Sequence, residues 1–204
     1  MIAPLLPLLL GARPRIVLKA SRDPVDAMFQ PEPREKAKAV WVDGKDTGVR
    51  IPPIQAGFFE IEERSNARGD LGGEFSEGYR GAMNGTYHYP FLMLKGGRFT
   101  LLPQCGDNAY VVAMDGRGRL LAVDDPPMTN LTEVCHGYVW VGSDWTDLGP
   151  ADRMHFERDG SVVGSFPTSR KGRPLERIDY GGEGFRVRFR WKDGKRTESK
   201  PYQA

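Results

Sequence analysis

Four Asp-Gly pairs, each between two runs of β-prone residues, constrain the fold of this chain more than any other feature of its sequence. The pairs begin at Asp43, Asp115, Asp159 and Asp193. Asp-Gly is the strongest local signal for a tight β-hairpin, because both central residues of a type I′ turn need positive φ. Most of the 25 glycines and 16 prolines also lie between short apolar runs, where turns are expected. We therefore predict an all-β chain arranged as an antiparallel meander.

The length of 204 residues suits one sizeable domain and is short for two. We predict a sandwich or an open barrel of about eight to eleven strands. A small β-propeller-like array is the alternative, although the Asp-Gly pairs are unevenly spaced. Residues 39–204 are predicted to form this single β-rich domain. Residues 1–38 are predicted to be an apolar start followed by a proline-rich, irregular or short helical arm, and the glycine-rich stretch 65–85 to be the longest loop.

The first residues, MIAPLLPLLLGARPR, leave two interpretations open. The leucines followed by Gly11 and Ala12 are similar to a signal segment, but no basic residue precedes them. They suit equally well an apolar segment that packs its leucines on the core. The run is too short to cross a bilayer as a helix, so we predict no stable membrane span. We favour a periplasmic or secreted protein over a cytoplasmic one.

The chain contains two cysteines, Cys105 and Cys135, whose spacing matches no zinc or redox motif. In an exported protein they would form a disulfide that closes a loop of about 30 residues and contributes about 3–4 kcal/mol. In the cytosol they would be reduced thiols. The disulfide prediction therefore depends on the compartment.

The stretch FRVRFRWK, residues 185–192, alternates between apolar and basic side chains, which predicts a strand with one face in the core. The apolar positions are Phe185, Val187, Phe189 and Trp191, and the basic ones are Arg186, Arg188, Arg190 and Lys192. The basic face is a solvated, edge-protecting surface, a binding surface for an acidic protein, or one for nucleic acid or another polyanion. Between the two kinds of partner we prefer a protein, because no aromatic residue interleaves with the cations to stack bases.

A second candidate binding surface is the motif DWTD, in which Asp144 and Asp147 flank Trp145. We expect this tryptophan to be exposed, where it would suit a sugar ring or a cationic side chain. The motif belongs to a block, residues 105–152, with a net charge of −6, whereas residues 170–200 carry +6. The two blocks either pair within the fold or form two oppositely charged poles.

Patterns that carry chemistry are scarce in this sequence. No metal-ligand spacing relates the three histidines, which are His88, His136 and His155. No nucleophile elbow, phosphate-binding loop or dinucleotide fingerprint is present. The carboxylate pairs Glu62-Glu63 and Asp124-Asp125 would serve glycoside hydrolysis only if two carboxylates faced each other about 5–9 Å apart. We therefore predict no catalytic residue, no metal site and no cofactor.

These observations favour a non-enzymatic protein-binding module that recognises its partner through charged surfaces, of the exported inhibitor, immunity or accessory type. One alternative is a binder of nucleic acid or another polyanion that uses the basic face of residues 186–192. The other is a hydrolase of glycans or cell-wall polymers that uses the Asp/Glu pairs.

Overall fold

The computed structural model describes residues 16–20, 38–51, 58–78, 86–106, 109–124, 134–176 and 184–204. These residues form sixteen β-strands and no helix, so the all-β prediction is confirmed, with more strands than the eight to eleven expected. Within the same ranges, no helical segment has the length and apolarity needed to traverse a bilayer.

The strands form four sheets in which every pairing is antiparallel. Sheet 1 contains β1 (Ile16–Ala20), β2 (Lys38–Val42) and β3 (Lys45–Ile51). Sheet 2 contains β4 (Phe58–Ser65), β5 (Leu71–Gly78), β6 (Thr86–Met93) and β7 (Thr100–Leu101). Sheet 3 contains β8 (Tyr110–Met114), β9 (Leu120–Val123), β10 (His136–Val141) and β11 (Asp144–Pro150). Sheet 4 contains β12 (Arg153–Phe156), β13 (Val162–Thr168), β14 (Phe185–Lys192), β15 (Lys195–Glu198) and β16 (Tyr202–Gln203).

Neighbouring strands in each sheet are consecutive in the chain, except that β16 pairs with β14. This arrangement confirms the antiparallel meander. Among the described strands no sheet closes into a barrel, and the fold is consistent with a sandwich.

Hydrophobic clusters join the sheets face to face in chain order. Sheets 1 and 2 share the cluster that includes Ile51 and Phe91. Sheets 2 and 3 meet where Leu92 packs against Leu120, and sheets 3 and 4 share a cluster that includes Val139. No hydrophobic cluster of the described residues joins sheet 1 to sheet 4. Sheet 3 is therefore an inner layer that is covered on both faces.

The central strand β9 illustrates how this layering is encoded. Its four residues, LLAV, are all buried and do not alternate with polar residues. Leu120 faces sheet 2, whereas Leu121 faces sheet 4. A strand covered on both faces needs an apolar residue at every position, so a continuous apolar run replaces the alternation.

The Asp-Gly hairpins are all present, but they use two kinds of turn. Asp43-Gly44 and Asp193-Gly194 have positive φ at both residues, 49° and 78° in each pair, as the type I′ prediction requires. In the Asp115 hairpin the positive φ lies at Gly118, and in the Asp159 hairpin it lies at Gly160. These two turns are longer, and their aspartate side chains accept backbone N–H groups within the turn.

Two local expectations were wrong. Residues 71–78 of the expected glycine-rich loop form β5. The glycine at position 72 has a packing role, because a Cβ there would lie 2.7 Å from Leu120 Cδ2 and would keep sheet 2 from approaching sheet 3. Residues 16–20 of the expected arm form β1, which pairs with β2. The rest of the arm, residues 1–15 and 21–37, lies outside the described residues, and the domain boundary stays a prediction.

Candidate protein-binding site

The two faces of β14 divide as the alternation predicts, since Val187 and Phe189 are buried in the cluster between sheets 3 and 4. The first cation of the opposite face is already engaged. The guanidinium of Arg186 pairs with Asp152 and donates to Ser165 Oγ, and its side chain is only 14% exposed. This ion pair joins the basic block to the acidic block within the fold, so the two blocks are not simply separate poles.

The remaining cations of β14 also have partners within the chain. Asp159 Oδ2 accepts from Arg190 at 3.1 Å and from Lys192 at 2.9 Å. Hydrogen bonds from Ser161 and then Lys192 hold the pKa of Asp159 well below its usual range, so this exposed carboxylate stays ionised. The Arg188 guanidinium lies 4.6 Å from the centre of the Tyr202 ring. The binding role of these cations stays a prediction.

The DWTD motif begins β11, an edge strand of sheet 3, and its tryptophan is half-buried rather than exposed. Trp145 Nε1 donates to the carbonyl of Pro103 at 2.7 Å, and its ring packs edge-on against Trp140 at 5.4 Å. Its apolar surface is therefore largely used by the protein itself. This differs from the expectation because residues about 40 positions earlier in the chain cover the ring.

The two aspartates of the motif are exposed and bind backbone N–H groups of the same edge strand. Asp144 Oδ1 accepts from the Trp145 amide at 2.8 Å, and Asp147 Oδ1 accepts from the Gly149 amide at 2.6 Å. Asp147 also lies 3.0 Å from His136 Nδ1. Such side-chain bonds protect an edge strand against pairing with other chains. The binding role of both aspartates stays a prediction.

The carbonyl groups of the same strand are bound by Arg196 of β15. Its guanidinium donates to the carbonyls of Leu148 and Pro150 and lies 4.0 Å from the centre of the Phe189 ring. Desolvation at this site lowers the pKa of Arg196 from its ordinary value. Arg196 therefore connects the edges of sheets 3 and 4 and is a structural residue.

An open groove of about 420 Å³ lies between the turn ends of sheets 3 and 4. We call it the cationic groove. Its lining residues are Arg117, Arg119, Val141, Thr146, Asp159, Gly160, Trp191, Lys192, Asp193 and Gly194. The lining thus contains three basic side chains and two carboxylates. One of the carboxylates, Asp159, already binds Lys192 of the lining and Arg190 outside it. Val141 is 45% exposed and gives the groove an apolar surface beside these charges.

Arg119, on one wall of the groove, is bound within the protein. Its Nε donates to Asp115 Oδ2 at 2.8 Å, and its terminal nitrogen donates to the carbonyl of Gly160 at 2.6 Å. These bonds hold the β8–β9 turn (residues 115–119) against sheet 4.

Arg117 differs from its neighbours. Its guanidinium makes no ion pair or hydrogen bond with any residue that the structure describes, whereas its backbone is fixed from two sides. The Arg117 amide donates to Asp115 Oδ1 at 2.8 Å, and its carbonyl accepts from Arg68 at 3.1 Å. The chain therefore presents a charged side chain on a fixed backbone in the lining of the groove.

Asp70 holds the Arg68 side chain that donates to the Arg117 carbonyl. It is buried and accepts from the Lys95 amide, from Asn66 and from Arg68. Burial alone would raise the pKa of Asp70, but these hydrogen bonds outweigh it and lower the pKa below its usual value. The sequence RGD at 68–70 is thus an internal ion pair, with its aspartate unavailable to a partner.

Arg117, Arg119 and Val141 were not predicted as candidates from the sequence. For the two arginines the signal is charge, because they are the only basic residues in the acidic block 105–152. For Val141 the sequence carries no such signal.

The carboxylate pairs considered for hydrolysis are separated or outside the described residues. Glu62 and Glu63 are both exposed and are adjacent on β4, so they point to opposite faces of its sheet. Asp124 accepts from the His136 amide and the Tyr138 hydroxyl. Asp125 lies outside the described residues. In the part of the chain that the structure describes, no group of three or more His, Cys, Asp or Glu residues has the arrangement of a metal site.

The disulfide considered from the sequence is absent. Cys105 and Cys135 are both buried, and no bond joins them. Cys105 packs instead with Ala109, Ala122 and the rings of Tyr138 and Trp145. A buried thiol surrounded in this way behaves as a small apolar side chain.

Both thiols are therefore expected to be titratable after unfolding without reductant and to react slowly in the native protein. Burial, and next the negative charge of Asp124, raises the pKa of Cys105 to about 12. At about pH 8 only about one Cys105 in ten thousand would be a thiolate. A colorimetric thiol assay with and without denaturant measures this difference, and a Cys105→Ala variant should lose one thiol. A zero count in the unfolded protein would mean that the cysteines are oxidised.

Comparison of the chain with protein-family models, with curated proteins and with solved structures gives no match.

Proposed function

We propose that this protein is a non-catalytic binding module that takes an acidic segment of a partner protein into the cationic groove. The observation that carries the proposal is Arg117, whose guanidinium has no partner among the described residues while its backbone is held on both sides. A module of this kind would act as an inhibitor, immunity or accessory protein.

The chemistry of the groove favours a carboxylate-bearing ligand. A guanidinium binds a carboxylate through two parallel hydrogen bonds, and its planar geometry is well suited to that contact. Because the backbone of the β8–β9 turn is already fixed, binding a partner costs the ordering of the Arg117 side chain but little backbone freedom. Lys192 on the opposite wall adds charge that speeds and orients association.

The proposal is tested by selecting displayed random peptides on the immobilised full-length protein. The selection is run in parallel on an Arg117→Glu/Lys192→Glu variant and on a control, Lys171→Glu/Arg173→Glu. Lys171 and Arg173 are exposed and lie beyond the end of β13 that is opposite the groove, so the control makes the same charge change elsewhere. We expect peptides rich in Asp and Glu to be enriched on the wild type and the control, and lost on the groove variant.

The association rate of an enriched peptide should fall as salt increases towards about 0.15 M, because exposed charges are then screened. Enrichment that is equal on all three proteins would contradict the proposal. Retention on heparin or single-stranded oligonucleotide at that salt, lost in the groove variant, would favour the polyanion alternative instead.

A further inference from the structure

We infer that the recognition surface extends beyond the groove, across the β8–β9 turn, onto Leu94 in the turn between β6 and β7 of sheet 2. The partner segment would then carry apolar residues on both sides of the acidic residue that binds Arg117. This inference rests on the proposed function, because it assigns the partner chemistry of the same site.

The first observation is exposed apolar surface. Leu94 and Val141 are both 45% exposed, and they are the large hydrophobic side chains exposed to this degree among the described residues. Scattered exposed apolar residues are ordinary on protein surfaces. These two, however, flank the same turn.

Their positions relative to Arg117 follow from close contacts. Leu94 Cδ2 lies 2.9 Å from the point where a Cβ on Gly118 would be, so it lies against the residue that follows Arg117. Gly118 has φ +81°, a conformation that favours glycine, and the turn leaves Leu94 this space. Val141 lines the groove together with Arg117. Leu94 therefore lies on the sheet 2 side of the β8–β9 turn, and Val141 lies on the groove side, where the Arg117 guanidinium is also found.

The backbone next to Leu94 is fixed by hydrogen bonds, as the backbone of Arg117 is. Asp70 Oδ1 accepts the amide of Lys95 at 2.9 Å, and Asp70 Oδ2 accepts Arg68, which itself donates to the Arg117 carbonyl. One buried carboxylate thus connects the turn that carries Leu94 to the turn that carries Arg117. A fixed arrangement of apolar and charged groups is what a specific interface needs at its centre.

The ligand that fits is an acidic side chain between two apolar ones. The carboxylate would bind the Arg117 guanidinium, and the apolar groups would cover Leu94 and Val141. Covering them removes water from around the ion pair, which strengthens its attraction. A segment that carries acidic residues alone would leave both apolar surfaces in water.

The test uses three synthetic peptides of equal length, measured by fluorescence anisotropy with the full-length protein. In the first, Phe flanks each Asp; in the second, Ser replaces Phe; in the third, Asn replaces Asp. We expect the first peptide to bind about tenfold more tightly than the second, from the apolar area that it covers. The third should bind least.

Variants then locate the contact. Leu94→Ser should remove most of the advantage of the Phe-Asp peptide and leave the binding of the Ser-Asp peptide unchanged. Leu94→Met, which keeps an apolar side chain, should retain the advantage, and Arg117→Glu should abolish binding of both. Leu94 is exposed, so both of its substitutions should leave the midpoint of urea unfolding unchanged.

The outcomes separate this inference from the proposed function. Equal binding of the Phe-Asp and Ser-Asp peptides would overturn the inference and leave acidic recognition intact. Loss of both peptides to the same extent in Leu94→Ser would also overturn it. If neither acidic peptide binds the wild type, both the inference and the proposed function are wrong.

Discussion

Replacing Glu74 with Ala is expected to lower the free energy of unfolding by about 3–5 kcal/mol. Glu74 lies on β5 with its side chain buried between sheets 2 and 3. Its Oε2 accepts the Val111 amide of β8 at 2.6 Å, and its Oε1 lies 3.0 Å from His88 Nδ1 on β6. The alanine would leave the Val111 amide without this acceptor in a buried position, and it would remove the polar contact between two sheets.

Two further variants test whether burial and the carboxylate cause the loss. Glu74→Gln keeps an acceptor for the Val111 amide, so we expect a smaller loss of about 1–2 kcal/mol. Glu62→Ala removes a glutamate of the adjacent strand β4 that is 56% exposed and should change stability by less than about 0.5 kcal/mol. Urea unfolding followed by circular dichroism measures all three. A loss below about 1 kcal/mol in Glu74→Ala would show that the sheets do not depend on this contact.

Much of the fold could be predicted because local patterns encode it directly. The alternation in β14 reflects one buried and one outward face, and the Asp-Gly pairs mark hairpin turns. Strand β5 could not be predicted in the same way. Its face towards sheet 3 carries Gly72 and Glu74. In the structure the glycine permits close packing, and the carboxylate is buried and hydrogen-bonded. In the sequence, however, a glycine and a charged residue are typical of a polar loop.

The candidate site was less predictable than the fold, because long-range contacts determine which charges remain available. The sequence placed four cations on β14. It could not show that Asp152 would bind Arg186 or that Asp159 would bind two of the others, since these contacts join different strands and turns. The groove arises where two sheets meet, so Arg117 became a candidate only when its surroundings were known.

Replacing Gly164 with Ala is expected to lower the free energy of unfolding by about 3 kcal/mol, because the new methyl group has no room. Gly164 is buried at the centre of sheet 4, opposite Met154 of β12 and Phe189 of β14. A Cβ there would lie 2.5 Å from Phe189 Cζ and 2.6 Å from the carbonyl oxygen of Arg153. The oxygen belongs to the paired strand, and the ring is buried under the Arg196 guanidinium, so neither neighbour can move without disturbing the sheet.

Gly116→Ala is the matched control, because a Cβ at Gly116 meets no atom within 4 Å and its φ is not positive. It should be neutral or stabilise the protein by about 0.4–1 kcal/mol through a less flexible unfolded chain. Phe189→Leu alone is the reference for the double variant with Gly164→Ala, in which the ring contact is relieved but the contact with the Arg153 oxygen remains. Relative to that reference, the alanine should cost less than in the wild type but should still be destabilising. The free energy of unfolding of each variant shows whether a methyl group at position 164 is destabilising. If Gly164→Ala were as stable as Gly116→Ala, sheet 4 would pack less tightly around Phe189 than these distances require.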